Sequence, residues 1–367
     1  MDRRRFLLSG AALSATVMLP RVGPAAEFAF APTPGAWRSF ELTTRIEIAK
    51  PRGVSQAWLP VPSLDAPDWM RPTGNQWQGN TASAEIYQEP RYGGQLLHAV
   101  WADGEPAPVV ELTSRFSTRD RAVDLTRRSP TPLKLSAAER ALYTSPTRLI
   151  PTDGVVRDTA SYVTAGVYTD VGKARAIYDW IVDNTFRDPK TRGCGNGDIT
   201  FLLDHGLGGK CADLNALFVG LARASGLPAR DIYGLRVAPS RFGYKALGAG
   251  SATVTKAQHC RAEVHLDRFG WVPVDPADVR KVVLEEPPGN LAVDDPKVVA
   301  ARRTLFGAWE TNWVAFNTTH DWVLPGAKEP DLDFLMYPQV ETGGERLDSL
   351  DPDAVKYTIT AKELAAA

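Results

Sequence analysis

Two different periodicities divide most of the chain. From about residue 36 to residue 125, short apolar runs alternate with polar residues at every second position. The clearest run is ELTTRIEIA, in which one face carries Leu42, Thr44, Ile46 and Ile48. Turns rich in Gly and Pro separate these runs, and this arrangement is typical of an antiparallel sheet or sandwich.

From about residue 135 the period becomes helical. LSAAERALY and GVVRDTASYVTAG predict short helices, and VGKARAIYDWIVDNTF predicts a longer one. In the longer helix, one face carries Ala174, Ile177, Ile181 and Val182. After the glycine-rich loop RGCGNGD, the segment KCADLNALFVGLARASGLP predicts an amphipathic helix that ends near Gly226.

The chain returns to strands at about residue 258, in QHCRAEVHLDRFGWVPVDPADV. Beyond about residue 290 it is irregular and aromatic, with Trp309, Trp313, Phe316 and Trp322. Clustered apolar residues in an irregular segment usually bury themselves, so we expect these side chains to pack over the core. The alternative is that they line a cleft for a peptide or a glycan.

Residues 1–26 predict an export signal. Arg3, Arg4 and Arg5 precede an apolar stretch that ends at Pro20, and small residues follow at about position 25. The apolar stretch is too short for a comfortable membrane span of about 20 residues. The paired arginines resemble the twin-arginine type of signal, so we expect a periplasmic protein without a membrane span in the mature chain. An uncleaved anchor is the alternative.

Composition adds limits on the class of protein. With 44% apolar and 23% charged residues, the 367-residue chain is an ordinary globular protein. The net charge of −1 does not suggest a nucleic-acid binder. Residues 1–26 hold four of the 42 basic and one of the 43 acidic residues, so the remainder carries a net charge of −4.

Cys211 is the first candidate for chemistry. It follows Gly208, Gly209 and Lys210 and stands at the start of the predicted amphipathic helix. A helix N-terminus carries partial positive charge and lowers the pKa of a thiol, which would make Cys211 a nucleophile. A small cysteine buried in the core is the alternative.

The histidine and the carboxylate come from one predicted hairpin. In HCRAEVHL, the apolar residues alternate with a polar face that begins at His259. A turn near Asp267 would place His259 across from Asp275 or Pro276, within reach of the Asp275 side chain. Asp278 is the competing carboxylate if the register slips. Cys211, His259 and Asp275 together are the parts of a catalytic triad.

These strings resemble the transglutaminase-like superfamily. The matching segments are GGKCADLNALFVGLARASGLPAR, QHCRAEVHL and GWVPVDPAD, which lie within about residues 150–285. The resemblance implies an α+β, papain-like core with an antiparallel sheet. It also implies Cys211 as nucleophile, His259 as base and Asp275 as the acid that orients it. Where the family often has His-Ala-Trp, this chain has HCR, which changes the wall of the site.

The expected organisation has four parts. They are a signal peptide at 1–26, a β-rich, sandwich-like domain at 27–134, a transglutaminase-like core at 135–290, and an aromatic extension packing on that core at 291–367. The expected activity is acyl transfer through a thioester on a peptide, protein or peptidoglycan-type amide, with hydrolysis favoured over crosslinking. The alternative is a non-catalytic periplasmic binding module or scaffold. We expect no cofactor and no metal, and the oligomeric state stays open.

Several roles stay open. Cys194 and Cys260 could form a disulfide, Cys194 could pair with Cys211 as a redox switch, or Cys260 could be a plain core residue. A zinc site formed by Cys194, Cys260 and a histidine is a further alternative. The Cys211 backbone N–H is the expected first oxyanion donor. Gln258, Trp180 and Asn196 are candidates for the second.

Overall fold

The computed structural model describes residues 29–329 and 331–365. Before the first helix this part of the chain forms β1 (Arg38–Glu47), β2 (Ser55–Pro60), β3 (Met70–Gly79), β4 (Ser83–Gln88), β5 (Gln95–Trp101), β6 (Val109–Thr118) and β7 (Arg121–Ala122). The middle contains α1 (Ala137–Thr144), α2 (Gly154–Val163), α3 (Asp170–Asn184), β8 (Phe186–Arg187), α4 (Ile199–Asp204), β9 (Gly208–Gly209), α5 (Cys211–Ala224), β10 (Ala229–Arg236), β11 (Gln258–Leu266), β12 (Gly270–Val274), α6 (Pro276–Glu285) and α7 (Pro296–Thr304). The last part contains β13 (Ala308–Trp309), β14 (Trp313–Asn317), β15 (His320–Val323), β16 (Asp331–Phe334), β17 (Gln339–Thr342), β18 (Glu345–Arg346) and β19 (Lys356–Leu364).

Two antiparallel sheets share one apolar core in the N-terminal part. Their strand orders are β19-β1-β6-β3 and β18-β17-β2-β5-β4. Ile46, Leu97 and Val110 lie in the core that the two sheets share. The period-two alternation of β1 buries Leu42, Thr44 and Ile46, as its sequence predicts. The sandwich-like prediction is therefore confirmed.

The C-terminal residues complete both of these sheets. β17 pairs with β2, and β19 pairs with β1 along nine residues, from Ser39↔Leu364 to Glu47↔Lys356. The sequence predicted that residues 291–367 pack on the core, and β14 does pair with β10 of the core sheet. The expectation of an irregular segment beyond about residue 290 is wrong, because α7 and the strands β13 to β19 lie there. The local sequence did not show that the last strands would return to the N-terminal sheets, because sheet partners so distant in sequence leave no local signal.

The core sheet has the antiparallel order β12-β11-β10-β14, and α5 packs against β11. Helices α2, α3, α4 and α6 surround α5. Every residue from Cys211 to Arg223 is consequently buried, whereas the sequence predicted an apolar stripe on an amphipathic helix. The mixed fold with antiparallel sheets agrees with the expected α+β class.

Both faces of β11 are buried, although its sequence alternates strictly. Cys260, Ala262 and Val264 lie in the apolar core, and the polar face is covered as well. Glu263 is fully buried and forms ion pairs with Arg121 and Arg230, the latter at 2.7 Å. A strand with such a polar face is usually solvated on that side or faces a cleft. Along most of its length, the polar face of β11 is instead paired with charges from other elements.

The aromatic residues of the C-terminal part are buried, as expected. Trp309, Trp313 and Trp322 have no exposed surface, and Trp69 stacks on Trp313 with ring centroids 6.3 Å apart. These rings are therefore core residues and not the wall of a cleft. The predicted export signal at 1–26 lies outside the described residues. Among the helices of the described part, none has the length and apolar character needed to span a membrane.

Candidate active site

Cys211 is the first residue of α5 and lies at a cleft of about 660 Å³. Its side chain is buried but lines this cleft together with His259. As the first residue of the helix, its backbone N–H has no intrahelical acceptor. The thiol therefore lies beside the positive end of the helix dipole, as its sequence position predicts.

Asp213 ties the glycine-rich loop to the start of α5. Its Oδ2 accepts the backbone N–H of Lys210 at 2.9 Å, and its Oδ1 accepts those of Asn196 and Gly197 at 3.1 and 3.0 Å. A Cβ on Gly195 would collide with this carboxylate, and Gly195 also has a φ of +88°. The sequence analysis missed Asp213. The signal was an acid at the third helical position, where it caps the N-terminus.

His259 is held by the side chain of Asp275. Its Nε2 donates a hydrogen bond to Asp275 Oδ2 at 2.8 Å, and Asp278 Oδ2 lies 3.3 Å from the same nitrogen. The backbone carbonyl of His259 accepts a hydrogen bond from Trp313 Nε1 at 3.0 Å. Because Nε2 is occupied by the carboxylate, Nδ1 is the nitrogen left for the thiol of Cys211.

Asp275 stands where the hairpin ends and α6 begins. The paired residues of β11 and β12 run from Leu266↔Gly270 to Ala262↔Val274, so Asp275 follows the last pair. It is the N-cap of α6, and its Oδ1 accepts the backbone N–H of Asp278 at 3.0 Å. The structure thus brings the predicted histidine and carboxylate together, with Asp275 at the end of a strand and not directly opposite His259.

Arg236 binds Asp278 and so makes this carboxylate different from Asp275. Its Nη2 lies 2.6 and 2.8 Å from the two oxygens of Asp278. Although burial acts in the other direction, Arg236 holds the pKa of Asp278 well below its usual range. Burial, followed by repulsion from Asp278, raises the pKa of Asp275. Asp278 is therefore a structural anion, and Asp275 is the carboxylate that orients His259.

Asn215 is a second residue that the sequence analysis missed. Its Nδ2 donates hydrogen bonds to the Cys260 carbonyl at 2.8 Å and to Asp275 Oδ1 at 3.3 Å. It lies one helical turn after Cys211, so both side chains project from the same face of α5. A polar amide in this otherwise apolar helical stretch was the available signal. Asn215 links the helix that carries the thiol to the carboxylate behind the histidine.

All three cysteines are free and buried, and they lie close together. The thiols of Cys194 and Cys260 both interact with the sulfur of Cys211. Cys194 Sγ also donates to the carbonyl of Gln258 at 3.3 Å, and Cys260 Sγ contacts Met336 Sδ at 3.7 Å. The structure therefore contains neither the Cys194–Cys260 nor the Cys194–Cys211 disulfide considered from the sequence.

The electrostatic surroundings favour an ion pair between Cys211 and His259. Interactions with the thiols of Cys194 and Cys260 and with His259 hold the pKa of Cys211 well below its usual value, although burial acts in the other direction. Burial and Arg236 act to lower the pKa of His259, but Asp278 and Asp275 outweigh them and raise it to about 9. Near neutral pH, these shifts favour a thiolate beside an imidazolium.

Gln258 is the oxyanion candidate that the structure brings to the cleft. It lines the cleft beside His259, and its buried Nε2 has no hydrogen-bond acceptor among the described residues. Asn196 and Trp180 were also considered, but neither lines this cleft. On a regular strand, the side chain of Gln258 would point away from that of its neighbour His259. As the first residue of β11, it stands at the end of the strand, where regular alternation need not hold.

A metal would have one candidate set of ligands within the described residues: His259, Asp275 and Asp278, whose ligand atoms lie within 4.8 Å of one another. Arg236 binds both oxygens of Asp278, and His259 and Asp275 bind each other. A guanidinium already occupies the place of a cation, so this donor set does not fit a metal ion. Cys194 and Cys260 belong to no such set in the part of the chain that is described.

The other histidines lie away from this arrangement. His265 belongs to the same polar face of β11 as His259, but it is buried at the far end of the strand. It packs edge-on against Trp271, with ring centroids 5.3 Å apart. His98 stacks on Trp58. His265 is therefore a packing residue and does not line the cleft.

The chain is similar to a family model and to a curated relative. The family model described as the transglutaminase-like superfamily matches residues 157–276. A Haemophilus influenzae protein, described only as uncharacterized, is 35% identical over 342 residues, which cover 89% of this chain and 91% of that protein.

The chain is also similar to solved structures, of which one, with a TM-score above 0.5, supports the fold. The crystal structure of a proposed cysteine protease from Cytophaga hutchinsonii has a TM-score of 0.56 at 14% identity, covering 92% of this chain and 94% of that one. The periplasmic domain of TgpA from Pseudomonas aeruginosa has a TM-score of 0.35 at 17% identity, covering 66% of this chain and 88% of that one. The matched residues 157–276 contain Cys211, His259 and Asp275. Residues 157–276 of this chain are therefore a domain of the transglutaminase-like superfamily.

Proposed function

We propose that this protein is an exported thiol hydrolase that cleaves peptide or amide bonds through a thioester on Cys211. The observation that carries the proposal is the orientation of His259, whose Nε2 is bound by Asp275 at 2.8 Å while the imidazole interacts with the Cys211 thiol. A nucleophile with its base, and a base with its own orienting group, is the arrangement expected of covalent catalysis.

The proposed reaction has two stages. The Cys211 thiolate attacks the carbonyl carbon, and the Cys211 N–H and Gln258 Nε2 stabilise the oxyanion. When the C–N bond breaks, the His259 imidazolium gives its proton to the leaving amine and a thioester remains. Neutral His259 then takes a proton from water, whose oxygen attacks the thioester and releases a carboxylic acid. Thiolate and imidazolium are restored.

Water is the acceptor that we favour over an amine. Exposed residues such as Arg192, Lys256 and Lys356 line the cleft, so solvent reaches its walls. A crosslinking enzyme must keep water from the thioester, which an open cleft does not do.

Export is part of the proposal. The signal-like residues 1–26, with their twin-arginine pattern, would deliver the folded enzyme to the periplasm. Replacing Arg3 and Arg4 by Lys should retain the protein in the cytoplasm, as cell fractionation would show. Normal export of that variant would argue against a twin-arginine signal.

Alkylation by iodoacetamide at neutral pH tests the activated nucleophile. Cys194 and Cys260 serve as internal references, because they are buried thiols whose pKa values lie well above the usual value. We expect Cys211 to react at least about tenfold faster than either, and His259→Ala to remove most of that advantage. Equal rates for the three thiols would overturn the proposal.

Acylation by p-nitrophenyl acetate tests the covalent step. We expect one equivalent of p-nitrophenolate in a burst, with an acetyl group on Cys211 found by peptide mapping. Cys211→Ser should show no burst. A non-catalytic binding module would show no burst with the unmodified protein either.

A further inference from the structure

The Lys, Arg, Asp and Glu residues that line the cleft are all of one charge sign. Seven basic residues and no Asp or Glu line the cleft that contains Cys211 and His259. This contrasts with the chain from residue 27 onward, which is net acidic. The positive charge is therefore concentrated at the cleft.

Five of the seven cations have carboxylate partners outside the cleft lining. Arg187 and Lys281 share Glu285, and the other pairs are Arg192–Asp348, Arg236–Asp278 and Lys356–Glu47. Seven cations against four carboxylates leave an excess of three positive charges. The catalytic groups hardly change this balance, because imidazolium and thiolate cancel and Asp275 lies 3.5 Å from Arg261.

Lys210 and Lys256 have no ion pair with any described residue, and each lies just before an element that carries a catalytic residue. Lys210 directly precedes Cys211, and Lys256 lies three residues before His259. Lys210 is half-buried and Lys256 is exposed. Their ammonium groups are therefore available to a molecule bound in the cleft.

We infer that the cleft selects peptides that carry carboxylates next to the amide attacked by Cys211, with Lys210 and Lys256 as the residues that recognise them. This inference rests on the proposed function and adds its substrate class. Unpaired cations in a cleft attract and orient anions, and a cleft lined by one sign of charge raises association rates by about 10–10³-fold. The positive end of α5 adds to the same field.

A pair of alkylating reagents measures the field directly. Iodoacetate and iodoacetamide attack the same thiolate, but only iodoacetate is an anion. We expect their rate ratio at Cys211 to exceed that of a small neutral thiol by about tenfold and to fall as the salt concentration rises from about 0.05 to about 0.5 M. The ratio cancels changes in the reactivity of the thiolate itself.

Matched variants assign the effect to the two lysines. The double variant Lys210→Gln/Lys256→Gln should lower the ratio by about three- to tenfold. Lys134→Gln is the control, because Lys134 is exposed, lies beside the turn at the far end of β11 and does not line the cleft. An equal effect of Lys134→Gln, or no effect of the double variant, would overturn the inference.

Peptide cleavage tests the substrate class. A mixed pool of peptides is incubated with the enzyme, either unmodified or with its carboxyl groups converted to methyl esters, and the new termini are identified by mass spectrometry. We expect cuts next to Asp or Glu in the first pool and few cuts in the second. Equal cleavage of both pools would overturn the acidic-peptide inference and leave the proposed hydrolase intact. A Cys211 that neither iodo reagent alkylates would overturn both.

Discussion

Asp275 binds His259 with one carboxylate oxygen and caps helix α6 with the other. Oδ2 lies 2.8 Å from His259 Nε2, and Oδ1 accepts the backbone N–H of Asp278 at 3.0 Å. The start of the helix therefore fixes the position of the carboxylate that orients the imidazole. Asp275 therefore contributes both to the stability of the fold and to the proposed chemistry. Different substitutions of Asp275 can distinguish these two contributions.

Asp275→Asn should keep the cap and lose the charge. Asn caps a helix about as well as Asp, whereas Asp275→Ala should destabilise the protein by about 0.5–2 kcal/mol. Both variants should lower the rate of acylation by about 10²–10⁴-fold, because His259 loses the carboxylate that binds its Nε2 and that helps, with Asp278, to raise its pKa. Thermal unfolding and the p-nitrophenyl acetate burst measure the two effects. An Asn variant with normal acylation would remove Asp275 from the proposed triad.

Alkylation and amide turnover should differ in their pH dependence. Alkylation needs only the thiolate, so its rate should rise with pH through the lowered pKa of Cys211 and then stay level. Turnover of a peptide also needs the imidazolium, so it should fall again at about pH 9, where His259 loses its proton. In His259→Ala the alkylation profile should move to higher pH. An unchanged profile in that variant would contradict the ion pair.

Cys194→Ala should raise the pKa of Cys211. The thiol of Cys194 is the largest influence that lowers this pKa, ahead of Cys260. The pH profile of the iodoacetamide reaction at Cys211 should move to higher pH in Cys194→Ala. It should move by less in the matched variant Cys260→Ala. Equal shifts in the two variants, or no shift in either, would contradict the larger effect of Cys194 on the pKa of Cys211.

Gln258→Ala should slow acylation without slowing alkylation. Removal of one oxyanion donor typically costs about 10²–10³-fold in the chemical step. Alkylation by iodoacetamide forms no tetrahedral oxyanion, so its rate at Cys211 should stay within about twofold of the unmodified protein. Because Gln258 Nε2 has no acceptor among the described residues, thermal stability should change little. Parallel losses in both reactions would indicate a displaced nucleophile instead of a lost donor.

Glu263→Gln should be strongly destabilising. Glu263 is fully buried between Arg121 and Arg230, and loss of its charge would leave two guanidinium groups without their anion. Breaking a buried ion pair costs about 3–5 kcal/mol. Glu345→Gln is the control, because its pair with Arg52 is exposed and should contribute less than about 1 kcal/mol. Chemical denaturation of both variants gives the comparison.

Local patterns predicted the elements that carry the site. The buried face of α3 contains Ala174, Ile177 and Ile181, as its helical spacing predicts. The start of α5 at Cys211 and the hairpin that carries His259 also follow from local patterns. The burial of the polar face of β11 could not be predicted. Periodicity shows that a face is polar, but it cannot show whether water or a partner charge covers that face.

By itself, the sequence determined the elements that carry the site and the three residues proposed for the chemistry, since these depend on spacing along the chain. The tertiary structure decided what surrounds them. Arg236 neutralises Asp278 and leaves Asp275 to His259, and Cys194 lies against Cys211, although each pair is separated by more than ten residues in the chain. The paired strands β19 and β1 are also far apart in the sequence. Contacts of this kind arise from packing in three dimensions, so no local pattern records them.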